Sequence, residues 1–350
     1  MLASPVRDLP VAIAVPAHNE AELVSPMLRA LDVAAEQVPG ADVRVVLLVN
    51  NDRERTADIA RQVALEHVAL EIVEVSLPPA RAHAGGARQL ACDLAADGLP
   101  DHGVLLTTDA DSRVAPDWLR QNLAEIAAGA EAVAGSIAFD CRLPPRLQRE
   151  WELAALQAEL VALLDPMPYD PWPTHRWSWG ASLAITKATF TRIGGMPNVP
   201  LAEDRHFTRA CEGYDVRLRY SCAARVWTSA RRDGRAEGGM AALFEAHGAE
   251  GPALCDALLE PLSTLLPRVR ARAAARAAWP DPARLGPIVR GAGARFPHMS
   301  ATFGGWWHLV EASVWRWRKR RLKPAELTRE IRRARTLVTA LRGEVLKVAA

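Results

Sequence analysis

Apolar and polar positions alternate at two periods along the first part of the chain, one suited to strands and one to helices. Val11 to Val15 is a short β-branched run, and Val43 to Val49 is apolar throughout except for Arg44. Val68 to Val75 alternates, and Val104 to Thr107 and Ala132 to Phe139 are further short apolar runs. Between them, apolar residues recur at helical spacing. Leu23, Met27, Leu28, Leu31 and Ala35 do so within Glu20 to Gln37, and Thr56 to His67, Gly85 to Ala96 and Trp118 to Ala128 repeat the pattern. Apolar runs separated by helices of this length predict βαβ units around a mostly parallel sheet, covered by helices.

Further along, Leu147 to Leu164 predicts a helix rich in Ala, Leu and Glu, followed by a Pro-rich loop from Asp165 to Pro173. Trp177 to Thr186 is small and apolar. Lys187 to Ile193 and Glu203 to Gly213 read as helices, and Arg217 to Tyr220 and Arg225 to Thr228 as short strands. The texture changes beyond about Gly238. Arg268 to Ala278 is an Ala/Arg helix, Pro280, Pro282 and Pro287 break the chain, and helices are expected over Trp306 to Arg320 and from Pro324 to Leu346. The expected division is residues 1–240 as an α/β domain and 241–350 as a mostly helical extension.

Ligands on a sheet of this kind bind beyond the carboxyl ends of its strands. Polar clusters fall there. Pro16-Ala17-His18-Asn19-Glu20 follows the first strand, and Asn50-Asn51-Asp52-Arg53-Glu54-Arg55-Thr56 follows the second. Amides and acids in these positions can meet a base edge or a ribose hydroxyl, or they can simply cap helices. Arg81 to Arg88 brings Gly85 and Gly86 to a helix start, where backbone can approach a ligand closely, and Arg88 can hold an acid in place. Asp109-Ala110-Asp111 ends the apolar run Val104 to Leu106. Two carboxylates separated by one residue repel unless a cation lies between them, so a hard divalent ion shared with substrate phosphates fits there. The competing reading makes one of them a helix cap. Trp177-Ser178-Trp179-Gly180 offers aromatic faces beside small backbone, suited to a sugar ring or to the core. Glu203-Asp204 opens a helix, where a carboxylate can serve as a general base or merely complement the dipole. Thr228 to Arg235 gathers Arg231, Arg232 and Arg235 near a glycine, suited to a diphosphate.

The first six of these motifs, in this order and spacing over about residues 10–240, resemble glycosyltransferase family 2, with its GT-A fold. The resemblance implies a nucleotide-sugar-dependent transferase in which Pro16, Ala17, Asn19, Glu20 and Asn51 hold the nucleoside. Arg88, Asp109, Ala110, Trp179, Gly180, Arg231 and Arg235 complete the donor site. Asp111 is then the metal ligand with Asp109 beside it, for Mg²⁺ or Mn²⁺, and Asp204 is the base of an inverting displacement with Glu203 as its neighbour. The sequence departs from the family pattern after the second strand, where Asn50-Asn51 replaces the usual acidic pair. The Q-x-x-R-W motif of processive synthases is missing, which favours single transfer. Two alternatives stay open: a sugar-phosphate nucleotidyltransferase, whose Gly-rich loop after the first strand is replaced here by Pro-Ala-His-Asn-Glu, and a non-catalytic binding protein on a degenerate transferase fold.

Composition narrows the partners. Hydrophobic residues make up 49% of 350, enough for a sizeable core. The net charge of +2 argues against a nucleic-acid partner for the chain as a whole. Charge is uneven, however: Arg316 to Arg335 holds ten Lys or Arg against two Glu. With Trp315 and Trp317 this basic stretch is either a solvated helical face or a contact with an anionic membrane, where a lipid-linked acceptor would lie. A small-molecule acceptor is the other expectation. Five widely spaced cysteines without a C-x-x-C pair read as reduced thiols, and no run of about 18 apolar residues occurs. The expected location is cytoplasmic, with attachment at the inner membrane surface as the second reading.

Overall fold

The computed structural model describes residues 9–139, 141–228, 254–317 and 320–349. The chain forms two compact units. The first holds the described residues of Met1–Arg142, Trp177–Ala210 and Arg217–Glu245, and the second those of Leu143–Arg176, Cys211–Val216 and Ala246–Ala350.

In the first unit, eight strands make one sheet in the order β3-β2-β1-β4-β7-β6-β8-β5. They are β1 (Pro10–Ala17), β2 (Asp42–Asn50), β3 (Ala69–Val75), β4 (Val104–Thr107), β5 (Ser112–Val114), β6 (Ala132–Phe139), β7 (Leu183–Thr186) and β8 (Leu218–Thr228). β1, β2, β3 and β4 run parallel, so their carboxyl ends share one edge. β7 runs antiparallel between β4 and β6, and β5 runs antiparallel to β8. The helices between strands are α1 (Val24–Glu36), α2 (Thr56–Arg61), α3 (Ala84–Ala96) and α4 (Trp118–Ala127), followed later by α6 (Lys187–Arg192). Ile13, Leu47, Leu106, Leu31 and Trp118 are wholly buried, as two-sided coverage of central strands requires. This is the α/β class that the alternation predicts.

Two local differences have clear causes. The helix expected to run to His67 stops at Arg61, because the amides of Glu66 and His67 donate to the Asp32 carboxylate on α1. β5 is too short for any periodicity to show. It exists because Ser112, Arg113 and Val114 meet Thr228, Trp227 and Val226 across the sheet. β8 is one strand where two were expected, because β6 pairs with both halves of it across a register shift between Gly135 and Ser136.

The second unit is helical: α5 (Pro145–Leu164), α8 (Leu262–Ala278), α9 (Pro282–Gly291), α10 (Phe303–Ser313) and α11 (Leu327–Ala349). Helix α7 (Glu203–Gly213) begins among residues of the first unit and ends among those of the second. Pro282 opens α9 where a break was expected. The Asp281 carboxylate caps the Ala283 amide, and a proline at the first helical position gives up an N–H that would have had no partner. A cluster of Trp279, Phe303, Trp306, Trp307 and Trp317 forms this unit's core. All five cysteines are free thiols, with Cys92, Cys211 and Cys255 buried.

Candidate active site

Arg88 is the centre of the site. It sits in the second turn of α3, whose start is capped by His83 accepting from the Gly86 amide at 3.0 Å. The side chain is 6% exposed yet charged, so it must be paired. It donates through Nε to Glu203 (2.8 Å), through Nη1 to the Thr107 hydroxyl (3.0 Å) and the Gly180 carbonyl (3.0 Å), and through Nη2 to Asp109 (2.6 Å). One guanidinium therefore ties together the end of β4, the loop before β7 and the start of α7. Burial works against the charge on Arg88, but Asp109 and Glu203 outweigh it and strengthen its hold on its proton. Burial likewise opposes ionisation of Glu203, and Arg88 overcomes it, holding that carboxyl below the usual range.

Two glycines make this approach feasible. A Cβ on Gly85 would lie 1.9 Å from the Val199 carbonyl oxygen and 3.3 Å from the Glu203 Cβ. A Cβ on Gly180 would lie 2.7 Å from the guanidinium carbon of Arg88. Gly180→Ala should displace Arg88 and lower stability by about 1–3 kcal/mol, the usual cost of overpacking. Urea denaturation of the variant measures this, and an unchanged midpoint would show that the guanidinium has room.

Asp204, next to Glu203, has a different setting. Its Oδ1 accepts from the Arg205 amide at 2.6 Å and its Oδ2 from the Gly180 amide at 3.3 Å. Burial and the adjacent Glu203 charge push its pKa up to about 6. A pair of acids with divergent proton affinities is what acid–base chemistry near neutral pH needs. The loop before β7 is itself pinned to α7 by a 2.7 Å bond between the Ser178 and Thr208 hydroxyls, and Trp177 and Trp179 stack at 5.3 Å.

Asp109 and Asp111 leave β4 together but differ in their partners. Asp109 is bound to Arg88. Asp111 lies in the turn between β4 and β5 and accepts from the Ser112 hydroxyl at 3.3 Å. Neither caps α4, whose N-cap is Asp117. Ser112 also donates to Thr228 at 3.2 Å, which brings the end of β8 beside this turn. Arg231, Arg232 and Arg235 lie outside the described residues. Among the described residues, no group of three or more His, Cys, Asp or Glu could hold a metal ion unaided. A single carboxylate suits Mg²⁺ or Mn²⁺ only where a substrate diphosphate supplies further oxygens, the usual arrangement for Mg²⁺.

The loops after β1 and β2 form a second cluster on the same sheet edge. Asp52 accepts from the Asn19 amide (3.1 Å), the Thr56 amide (2.8 Å) and the Thr56 hydroxyl (2.7 Å). Burial raises its pKa, but these bonds prevail and lower it. The Thr56 hydroxyl in turn accepts from the Glu20 amide, and Asn19 Oδ1 accepts from the Arg53 amide. Asn19 is thus a bridge between loops, not a cap for α1. His18 Nδ1 donates to the Asn50 carbonyl at 2.8 Å. The Asn51 amide group is engaged on both sides by the backbone of Leu77 at 3.1 Å, with Asn51 itself at φ +51. Pro16 and Ala17 end β1, the strand between β2 and β4. Ala110 is buried in the turn after Asp109.

Of the residues singled out from sequence, Arg88, Asp109, Gly180, Glu203 and Asp204 meet in one bonded group. Asn19, Glu20, Asn51 and Asp52 meet in another. Thr107 and His83 belong to the first group through an ordinary hydroxyl and a cap, residue types that carry no signal in a sequence.

Residues 12–171 match the model of the family described as Glycosyl transferase family 2. No curated protein matches the chain. Among solved structures, it is similar to the mannosyltransferase PcManGT from Pyrobaculum calidifontis, in complex with GDP-Man and Mn²⁺, at 17% identity over 99% of this chain and 82% of that one, with a TM-score of 0.48. It is similar to residues 1–349 of S. aureus TarS, in complex with UDP, at 14% identity over 89% of each chain, with a TM-score of 0.47. It is also similar to the M. tuberculosis glucosyl-3-phosphoglycerate synthase, in complex with Mg²⁺ and UDP, at 17% identity over 71% of this chain and 82% of that one, with a TM-score of 0.41. Over residues 12–171 the chain thus matches glycosyl transferase family 2.

Proposed function

We propose that the protein transfers one sugar from a nucleotide-diphosphate sugar to an acceptor hydroxyl, with inversion, in a divalent-metal-dependent reaction. The observation that carries this reading is the Arg88 knot: one buried cation holds Asp109 and Glu203, and Asp204 stands beside it with a pKa near 6. Asp204 takes the proton from the acceptor hydroxyl, whose oxygen attacks the anomeric carbon as the bond to the diphosphate breaks. Glu203 stays ionised against Arg88 and keeps Asp204 basic. Arg88 neutralises Asp109, and Asp111, in the turn after β4, is assigned to Mg²⁺ or Mn²⁺. Such an ion, when bound, neutralises the charge that grows on the leaving diphosphate. Arg231 and Arg235 follow the end of β8 and are assigned to the same diphosphate.

The nucleoside is assigned to Pro16, Ala17, Asn19, Glu20 and Asn51. With its amide group on Leu77, Asn51 acts by shaping the pocket, and the loop bridged by Asp52 and Thr56 fixes its width. Trp179 and Gly180 border the donor sugar. The acceptor is a small molecule or a lipid-linked sugar.

Calorimetry with nucleoside diphosphates tests the donor half. Binding should require Mn²⁺ or Mg²⁺, and Asp111→Ala should weaken it at least about tenfold while leaving the melting temperature nearly unchanged. Binding indifferent to both the metal and Asp111 would overturn the assignment.

A further inference from the structure

Much of the basic C-terminal stretch is already neutralised within the second unit. Arg335 and Arg342 pair with Glu152 and Glu159 on α5, and Arg320, Arg329 and Arg333 share Glu326 and Glu330. A different group of cations is not. The sequence from Pro282 to Val310 contains no acidic residue. Arg290 at the end of α9 and Arg295 in the loop after it are exposed, and the same loop meets the turn Trp315–Trp317. A Cβ on Gly293 would lie 3.2 Å from the Arg316 guanidinium. Among the described residues, none of Arg290, Arg295 and Arg316 has a carboxylate within ion-pair distance. Two aromatics stand out with them: Trp315 is 69% exposed and Phe296 is 37% exposed. Arg316 lies 5.8 Å from the Trp315 ring centre. The base of the patch is firm, since Phe296 packs on Trp306 at 5.7 Å and Trp317 is buried.

We infer that this face, formed by Arg290, Arg295, Phe296, Trp315 and Arg316, attaches the protein peripherally to an anionic lipid surface. Unneutralised cations supply attraction to acidic headgroups, and an exposed tryptophan supplies a ring suited to the headgroup boundary. No helix among the described residues is long and apolar enough to cross a membrane, so contact of this kind is peripheral. The near-zero net charge of the chain disfavours a nucleic acid as the partner, and the two exposed aromatics favour a lipid. The inference rests on the transferase reading only in placing a lipid-linked acceptor at that surface. Attachment itself is measured without any donor or turnover.

Co-sedimentation of the full chain with vesicles tests it. Binding is expected to phosphatidylcholine vesicles containing phosphatidylglycerol, to be absent with phosphatidylcholine alone, and to fall with added salt. R290E/R295E/R316E should weaken partitioning by about a hundredfold or more, and Trp315→Ala should weaken it severalfold. R29E/R149E/R270E makes the same change in net charge elsewhere and should retain binding. Equal loss in both triple variants, equal binding to neutral vesicles, or tighter binding of the chain to single-stranded RNA than to vesicles would overturn the inference. Metal-dependent donor binding that persists while vesicle binding fails would sink this proposal alone, and the reverse result would sink the transferase reading alone.

Discussion

Arg88→Met is expected to destabilise the protein by about 3–5 kcal/mol and to abolish transfer. The magnitude is that of breaking a buried ion pair by removing one partner, which leaves the other charge uncompensated. Here two carboxylates, Asp109 and Glu203, lose their shared cation. Glu203 is 7% exposed and has little access to water, so it must either protonate or drag its helix start outward. Urea denaturation reads the stability loss. The dependence on pH gives an independent sign. Arg88 holds Glu203 below its usual range, so the stabilisation is fully present above the ordinary carboxylate pKa and is lost as pH falls through the lowered one. In Arg88→Met the fall in stability between neutral and acid pH should flatten. Arg88→Lys retains charge but cannot reach four partners at once, and should recover part of the stability with little of the activity. A Met variant as stable as the parent would show that Arg88 is not the centre of this site.

Asp204→Asn is expected to lower turnover by about a hundredfold to ten-thousandfold, the range for losing a general base, with donor affinity unchanged. The substitution keeps shape, and the amide oxygen can still accept from the Gly180 or Arg205 amide, so the loop before β7 should stay in place. The parent enzyme's turnover should rise with pH through about 6 and level off above it, because the base must be ionised and burial holds its pKa there. In Asp204→Asn the residual rate should lose that limb. Glu203→Gln separates the two acids. Removing the adjacent negative charge should let Asp204 ionise more readily, moving the limb to lower pH while weakening the grip of Arg88. An unchanged pH profile in Asp204→Asn would assign the proton transfer to another group.

The sheet was legible because each buried strand and each covering helix writes its own period into the chain. β4 and β6 appear at the bounds expected from their apolar runs. The elements that escaped are those whose existence depends on a distant partner. β5 has three residues and is defined by β8 more than a hundred positions away. The end of α2 is set by Asp32 on another helix. The helix opened by Pro282 was concealed by three prolines that suggested a break, although an Asp before a proline is also a good helix start. In the site, the acidic pairs and Arg88 were visible by type and position. Their connection was not, since Arg88 lies 21 residues from Asp109 and 115 from Glu203. Asn51 shows the converse. A polar residue in the right place for reading a base turns out to have its amide group engaged with the backbone of Leu77.

By itself, the sequence determined the class of fold, the strand ends where chemistry gathers, and a family resemblance carried by six short motifs. These are local properties, set by residue type and spacing. Only the tertiary structure decided how the acids divide their partners. Glu203 and Asp204 are neighbours with nearly the same chemistry, and Asp109 and Asp111 are separated by one residue. What distinguishes the members of each pair is which of them reaches the buried guanidinium of Arg88. Proton affinity and charge compensation depend on burial and on neighbours within a few ångströms, and those neighbours come from parts of the chain that no local pattern relates.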